Sequence, residues 1–249
     1  MMKFLTKNLA NIFTLTNLFL GFTGIVNTLY GDPVMGAFFL IWAAIFDFLD
    51  GTTARLLKTQ SELGKQLDSL ADIVSFGILP ATILHVLLIK SHQAWVYKLH
   101  FTGIPIVSLL AFIFVIAAAL RLAKFNTDED QKNVFTGLPT PAAALFVASL
   151  PLIMRFDLYV LNYETFYLEK IMLNPWVLLL VTIGLSWMML SDMKLMSLKF
   201  KSLSFKENMP QYLLIIIAII LFVFLLFLAI PLILIIYILF SYIFNSKSS

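Results

Sequence analysis

Residues 47–72 read DFLDGTTARLLKTQSELGKQLDSLAD. Four aspartates, Asp47, Asp50, Asp68 and Asp72, sit inside two apolar runs, at 34–57 and 63–89. Asp47 and Asp50 are three residues apart and share one helix face. Asp68 and Asp72 are four apart and share a face of the next helix. A short turn around Ser61 predicts that these helices lie antiparallel. Gly51 falls one turn from Asp47, and Gly64 one turn before Asp68. Both glycines therefore lie on the carboxylate faces, where an absent side chain permits close approach of a helix or a ligand. Ionised groups at membrane depth are costly, and they mark function.

Outward from this stretch the chain stays apolar. Of its 249 residues, 61% are hydrophobic and 12% are charged. Soluble domains carry about 45–50% apolar and about 25% charged residues, so a water-soluble globular protein is excluded. Apolar runs at 13–30, 34–57, 63–89, 102–122, 138–154 and 175–191 predict six membrane-spanning helices. The run 212–244 is too long for one straight span and carries Pro231, which favours a hairpin and a total of eight crossings. The N-terminal MMKFLTKNLANIF mixes lysines with large apolar residues and reads as an interfacial amphipathic helix at 1–12. The predicted units are thus 1–12, a catalytic membrane domain at 13–191, and a basic loop with a transmembrane hairpin at 192–249. With the N-terminus in the cytoplasm, Lys90, Lys98, Arg155 and Lys170 fall outside, and the other thirteen of the 17 Lys and Arg residues fall inside. That bias follows the positive-inside rule and puts the aspartates at the cytoplasmic face. The formal charge of +3 suits anionic headgroups and lacks the dense basic stripe of a nucleic-acid surface. The absence of cysteine excludes disulfides, thiolate nucleophiles and Cys-ligated metals.

Four carboxylates close together in low dielectric repel unless cations neutralise them. Arg55 and Lys65 are too few for that. Two divalent cations suffice, and an all-oxygen set suits Mg²⁺, Mn²⁺ or Ca²⁺ and not zinc. Paired cations of this kind are common in phosphoryl transfer.

The segment fits D-x2-D-G-x2-A-R-x8-G-x3-D-x3-D at Asp47, Asp50, Gly51, Ala54, Arg55, Gly64, Asp68 and Asp72. It resembles the CDP-alcohol phosphatidyltransferase signature. The resemblance implies an all-α integral membrane protein with a six-helix core, usually a homodimer, binding CDP-diacylglycerol and two Mg²⁺ or Mn²⁺ ions. It implies that Asp47, Asp50 and Asp68 are metal ligands and that Asp72 touches the second metal and acts as general base. It assigns Gly51, Ala54 and Arg55 to the nucleotide and its phosphates, beside Asp50 and Gly64. Asn17, in FTLTNLFLG of the first helix, stands where similar enzymes carry an asparagine near the nucleotide.

The acceptor is read from three further blocks: DSLADIVSFGILPA (68–81), LRLAKFN (120–126) and FTGLPTPAAA (135–144). They resemble the phosphatidylserine synthase branch of that family, and SDMKLMSLKFKS from Ser191 resembles it more weakly. The resemblance implies transfer of a phosphatidyl group to the hydroxyl of L-serine, with CMP leaving by direct displacement. Zwitterionic serine needs a cation for its carboxylate and acceptors for its ammonium. Arg121, Lys124, Asn126, Gly137 and Pro139 are the candidates, grouped at the cytoplasmic ends of the fourth and fifth helices. Lys124 stands where arginine is expected in that block, which keeps the charge without the bidentate fork. His85, His92 and His100 fall toward the opposite face, outside any metal or catalytic role. Glycerol 3-phosphate or inositol phosphate as acceptor, and an archaeal ether lipid as donor, are the nearest alternatives. A cation transporter is a more distant one, because transporters place carboxylates near midplane.

Overall fold

The computed structural model describes residues 2–57, 61–91, 93–127, 135–157, 165–196 and 208–245. The protein is almost entirely helical. Helix α1 (Met2–Leu29) runs without a break, because no glycine or proline occurs before Gly21. The separate interfacial helix expected at 1–12 is therefore the opening turns of α1, and its strongly apolar part starts at Leu9. Helix α2 (Pro33–Leu56) opens on an Asp32 cap whose side chain accepts the Met35 N–H at 2.9 Å. The two helices pack along each other, and Gly36 lies so close to Thr28 that an added methyl group would collide with its hydroxyl.

Ser61 caps α3 (Glu62–Asp72), accepting the Gly64 N–H at 3.0 Å. The helix then widens into a π-helical turn (Ile73–Ile78) and continues as α4 (Leu79–Lys90). Pro80 explains the widening: it has no N–H to give, and its ring would clash with the carbonyl four residues back. From Leu79 to Leu88 every residue of α4 is buried, so α4 is the central post of the bundle. His85 lies there, its Nδ1 3.1 Å from the Ser108 carbonyl oxygen, while His100 is exposed; His92 lies outside the described residues.

The fourth span starts later than expected. His100–Phe101 and Ile104–Pro105 form a small hairpin (β1 and β2) that turns at Thr102 and Gly103, both with positive φ. Helix α5 (Ile106–Leu109), a 3₁₀ turn (Leu110–Phe112) and α6 (Ile113–Thr127) follow, and α6 outruns its predicted end, so Arg121, Lys124 and Asn126 lie within it. Helix α7 (Thr140–Leu152) follows Pro139 and ends in a second π-helical turn (Ile153–Asp157) just after Pro151. Two short helices come next, α8 (Thr165–Met172) and α9 (Pro175–Leu190).

The final apolar run divides into α10 (Met209–Leu225) and α11 (Ala229–Asn245), which pack against each other. The break comes at Leu226, where φ is 45°, and not at Pro231. Pro231 occupies the first turn of α11, where a missing N–H costs nothing. Asp157 sets the break: its two carboxylate oxygens accept the N–H groups of Phe227 and Leu228.

Six helical stretches, 9–29, 33–56, 62–90, 106–127, 140–157 and 209–243, are long and apolar enough to cross a membrane. Their outward faces carry exposed Phe19, Phe22, Trp42, Ile116 and Phe224, which suits lipid and not water. The chain is a multi-pass membrane protein. At one end of the bundle, Lys90 donates to the Gly31 carbonyl at 2.6 Å and Trp95 stacks on Trp176 at 4.8 Å. The aspartates lie at the other end.

Candidate active site

Helix α1 packs along both α2 and α3, while α2 and α3 make few direct contacts. Sequence spacing had predicted these two helices lying against each other. Instead α1 bridges them and holds a cavity of about 830 Å³ open between them. Asp47, Asp50 and Asp68 line that cavity, and one carboxylate oxygen from each lies within 4.8 Å of the others. Asp50 is buried (5% exposed). One oxygen of Asp50 and one of Asp68 are buried without a hydrogen-bond partner. Buried carboxylate oxygens that converge without donors fit a hard divalent cation. Asp47, Asp50 and Asp68 would hold it, and it would supply charge neutralisation for a bound phosphate.

Asp72 stands one turn deeper than Asp68. It faces Asp47, accepts a long hydrogen bond from Asn17 Nδ2 (3.5 Å), and lies within electrostatic reach of Arg121. Asn17 is fully buried, and its backbone carbonyl accepts the Ser75 hydroxyl at 3.1 Å. Asn17 therefore supports Asp72 and does not line the large cavity.

Gly51, Ala54, Arg55 and Gly64 all line the cavity. A methyl group on Gly51 would meet nothing, so its face opens fully onto the space. Gly64 is tighter, with Ser61 Oγ and Asn11 Oδ1 at 3.2 and 3.3 Å from the position of an added carbon. Arg55 is exposed at the rim, where its guanidinium is free to meet a diphosphate.

Sequence reading missed the contribution of α1. Asn11 and Thr14 line the cavity, and Thr14 stands beside Asp50. With Asn17 they stand at three-residue intervals along one side of α1. That period-three signal was available in the sequence.

The acceptor candidates are less uniform. Arg121 and Lys124 line a second, small cavity of about 20 Å³ with Thr136, Met189 and Ser191. Arg121 donates to the Thr140 hydroxyl at 3.2 Å, and its Nε is buried without a partner. Lys124 pairs with Asp192 at 2.9 Å. Asn126 ties α6 to α3: its side chain donates to Ser69 Oγ at 2.7 Å, and its carbonyl accepts from Lys65 at 3.2 Å. Gly137, expected from the sequence to let a small substrate approach closely, is instead filled against the backbone. Its φ is +71°, and an added carbon would stand 2.6 Å from the Met189 carbonyl and 2.9 Å from that of Ser191. Its glycine identity serves the packing of this loop on the end of α9. Pro139 precedes α7, and its carbonyl accepts the Ala143 N–H at 3.1 Å. Lys199, Lys201 and Lys206 of the predicted basic loop lie outside the described residues.

Residues 7–188 match the CDP-alcohol phosphatidyltransferase family as a whole. The chain belongs to that family. Among characterised relatives of this transferase, the CDP-diacylglycerol–serine O-phosphatidyltransferase of Bacillus subtilis is 31% identical over 178 residues, which are 72% of this chain and 84% of that protein. The Helicobacter pylori protein of the same name is 37% identical over 139 residues, 55% of this chain and 54% of its own length. The Saccharomyces cerevisiae protein of that name is 36% identical over 164 residues, 59% of this chain and 55% of its own.

Proposed function

We propose that this transferase moves a phosphatidyl group from CDP-diacylglycerol to the hydroxyl of L-serine, releasing CMP and forming phosphatidylserine. The observation that carries the reading is the convergence of Asp47, Asp50 and Asp68 on a cavity rimmed by Arg55 and open at Gly51. The shared name of relatives from three distant organisms supports the acceptor. Asp47, Asp50 and Asp68, with Asp72, would hold two divalent cations, Mg²⁺ or Mn²⁺, which would offset the charge of the donor diphosphate and make CMP a good leaving group. Arg55 meets the negative charge of the diphosphate from the rim of the cavity. Asp72 takes the proton of the serine hydroxyl as that oxygen attacks the lipid-bearing phosphorus. Asn17 keeps Asp72 oriented from below. Among the described residues no histidine lines the cavity, and the chain has no cysteine, so we read the reaction as a single displacement with no phosphatidyl-enzyme. The charge bias of the loops supports an active site open to the cytoplasm, where soluble serine is available.

Purified protein in detergent, given CDP-diacylglycerol and Mg²⁺ or Mn²⁺, should release CMP only when serine is added. CMP release with glycerol 3-phosphate and not with serine would move the protein to another acceptor class. Rapid exchange of labelled CMP into CDP-diacylglycerol without serine would reveal a covalent intermediate.

A further inference from the structure

Asp72 lines neither cavity, although the two adjoin at Phe125. Its position is therefore set by what packs behind it, and that is the join between α1 and the π-helical turn. The turn begins at the residue after Asp72 and runs from Ile73 to Ile78. Single π-helical turns of this kind recur at functional sites. Pro80 explains why the helix widens here. It does not explain what holds the widened turn against α1.

Ser75, inside the turn and fully buried, makes that link. Hydroxyls elsewhere in the apolar helices donate to their own helix: those of Thr28, Thr82 and Thr182 each reach the carbonyl four residues earlier. That is the ordinary solution where lipid offers no acceptor. Ser75 instead donates across the interface to the Asn17 carbonyl at 3.1 Å, 58 positions away in the chain. The side chain of the same Asn17 donates to Asp72 at 3.5 Å. One residue of α1 thus grips its neighbour at two points, Asp72 and Ser75. The contact to Asp72 is too long to fix a carboxylate by itself, and the link through Ser75 is the shorter of the two. Gly21, one turn after Asn17, makes the fit possible. A carbon added there would collide with Ser75 Oγ and stand 2.9 Å from Ser75 Cα, so the two backbones meet with no side chain between them.

We propose that Ser75 is a positioning residue for Asp72: seated against Gly21, its hydroxyl holds the π-helical turn to α1 and so keeps the Asp72 carboxylate aimed at the acceptor hydroxyl. The inference rests on the reading of Asp72 as the proton acceptor given above. Ser75 lines neither cavity, so it acts through Asn17 and Asp72 and not on a substrate. The Asn17 carbonyl lies inside α1 and has a helical donor of its own, so loss of the Ser75 hydroxyl leaves no backbone acceptor stranded.

The test uses the intact protein with CDP-diacylglycerol, serine and Mg²⁺. Ser75→Ala removes the hydroxyl and nearly keeps the volume. Its kcat should fall by about tenfold, a part of the ~10²-fold or more that general-base removal costs, with the KM of each substrate near the parent's. The deciding measurement is a double-mutant cycle with Asp72→Asn. Where Asp72 no longer takes a proton, Ser75→Ala should cost about twofold or less. Ser75→Cys, of similar shape with a weaker donor, should fall between serine and alanine. An equal loss on both backgrounds, a parent-like kcat in Ser75→Ala, or a cysteine variant no better than alanine overturns the assignment. Loss of CDP-diacylglycerol affinity in Ser75→Ala overturns it too, because Ser75 would then support the whole bundle. A near-normal kcat in Asp72→Asn alone instead overturns the reading of Asp72 itself.

Discussion

The two cavities on either side of Phe125 are built in opposite ways. The large one draws its charged groups from one stretch of sequence, Asp47 to Asp68, on the facing ends of α2 and α3. Helical periodicity puts the carboxylates of each helix on one face, and α1 brings the two faces to the same cavity. The small one gathers Arg121 and Lys124 from α6, Thr136 from the short strand Phe135–Thr136, and Met189 and Ser191 from the end of α9. Nothing local aims these groups at each other. On the function proposed above, donor activation would rest on a local motif and acceptor choice on groups gathered by long-range packing.

The largest effect should come from the local motif. Asp47→Asn, Asp50→Asn or Asp68→Asn should each lower turnover by ~10³-fold or more, because bound cations supply several kcal/mol of charge stabilisation. In the parent protein, chelation followed by Mg²⁺ or Mn²⁺ should remove and restore activity, and the variants should stay inactive. Full turnover in excess EDTA would break the comparison at its stronger side.

Asp72 lines neither cavity but lies beside Asp47 and within electrostatic reach of Arg121. Asp72→Asn keeps shape and removes basicity, so turnover should fall by ~10²-fold with CDP-diacylglycerol still bound. A near-normal kcat would place the proton acceptor elsewhere.

Arg121→Ala belongs to the dispersed region. It should raise the KM for serine by about tenfold and leave donor affinity alone, since it removes a carboxylate partner and not a diphosphate contact. Loss of CDP-diacylglycerol binding with an unchanged serine KM would merge the two cavities into one functional site.

The smallest effect should come from the most distant residue. Tyr237→Phe removes one neutral hydrogen bond to Met196, a loss of about 1 kcal/mol, and should raise the serine KM by a few-fold at most. The donor KM should not move. An equal rise in both would mean that α11 supports the whole bundle and not the acceptor side.

Sequence by itself determined the membrane-spanning helical architecture and the carboxylate site. Apolar runs of about twenty residues leave the backbone no alternative to helix in lipid, and spacings of three and four put Asp47 with Asp50 and Asp68 with Asp72. The spacing of Asn11, Thr14 and Asn17 was legible by the same periodicity. Tertiary structure decided the rest. Where the last apolar run turns was set by Asp157, seventy residues upstream of Phe227 in the chain, because its carboxylate satisfies two backbone donors that lipid cannot. Pro231 only marked a position that tolerates proline. The role of Gly137 followed from the carbonyls of Met189 and Ser191 at the end of α9, and Lys124 meets Asp192 across 68 positions. Such contacts follow no sequence period: they exist only once packing has brought separate helix ends to the same end of the bundle.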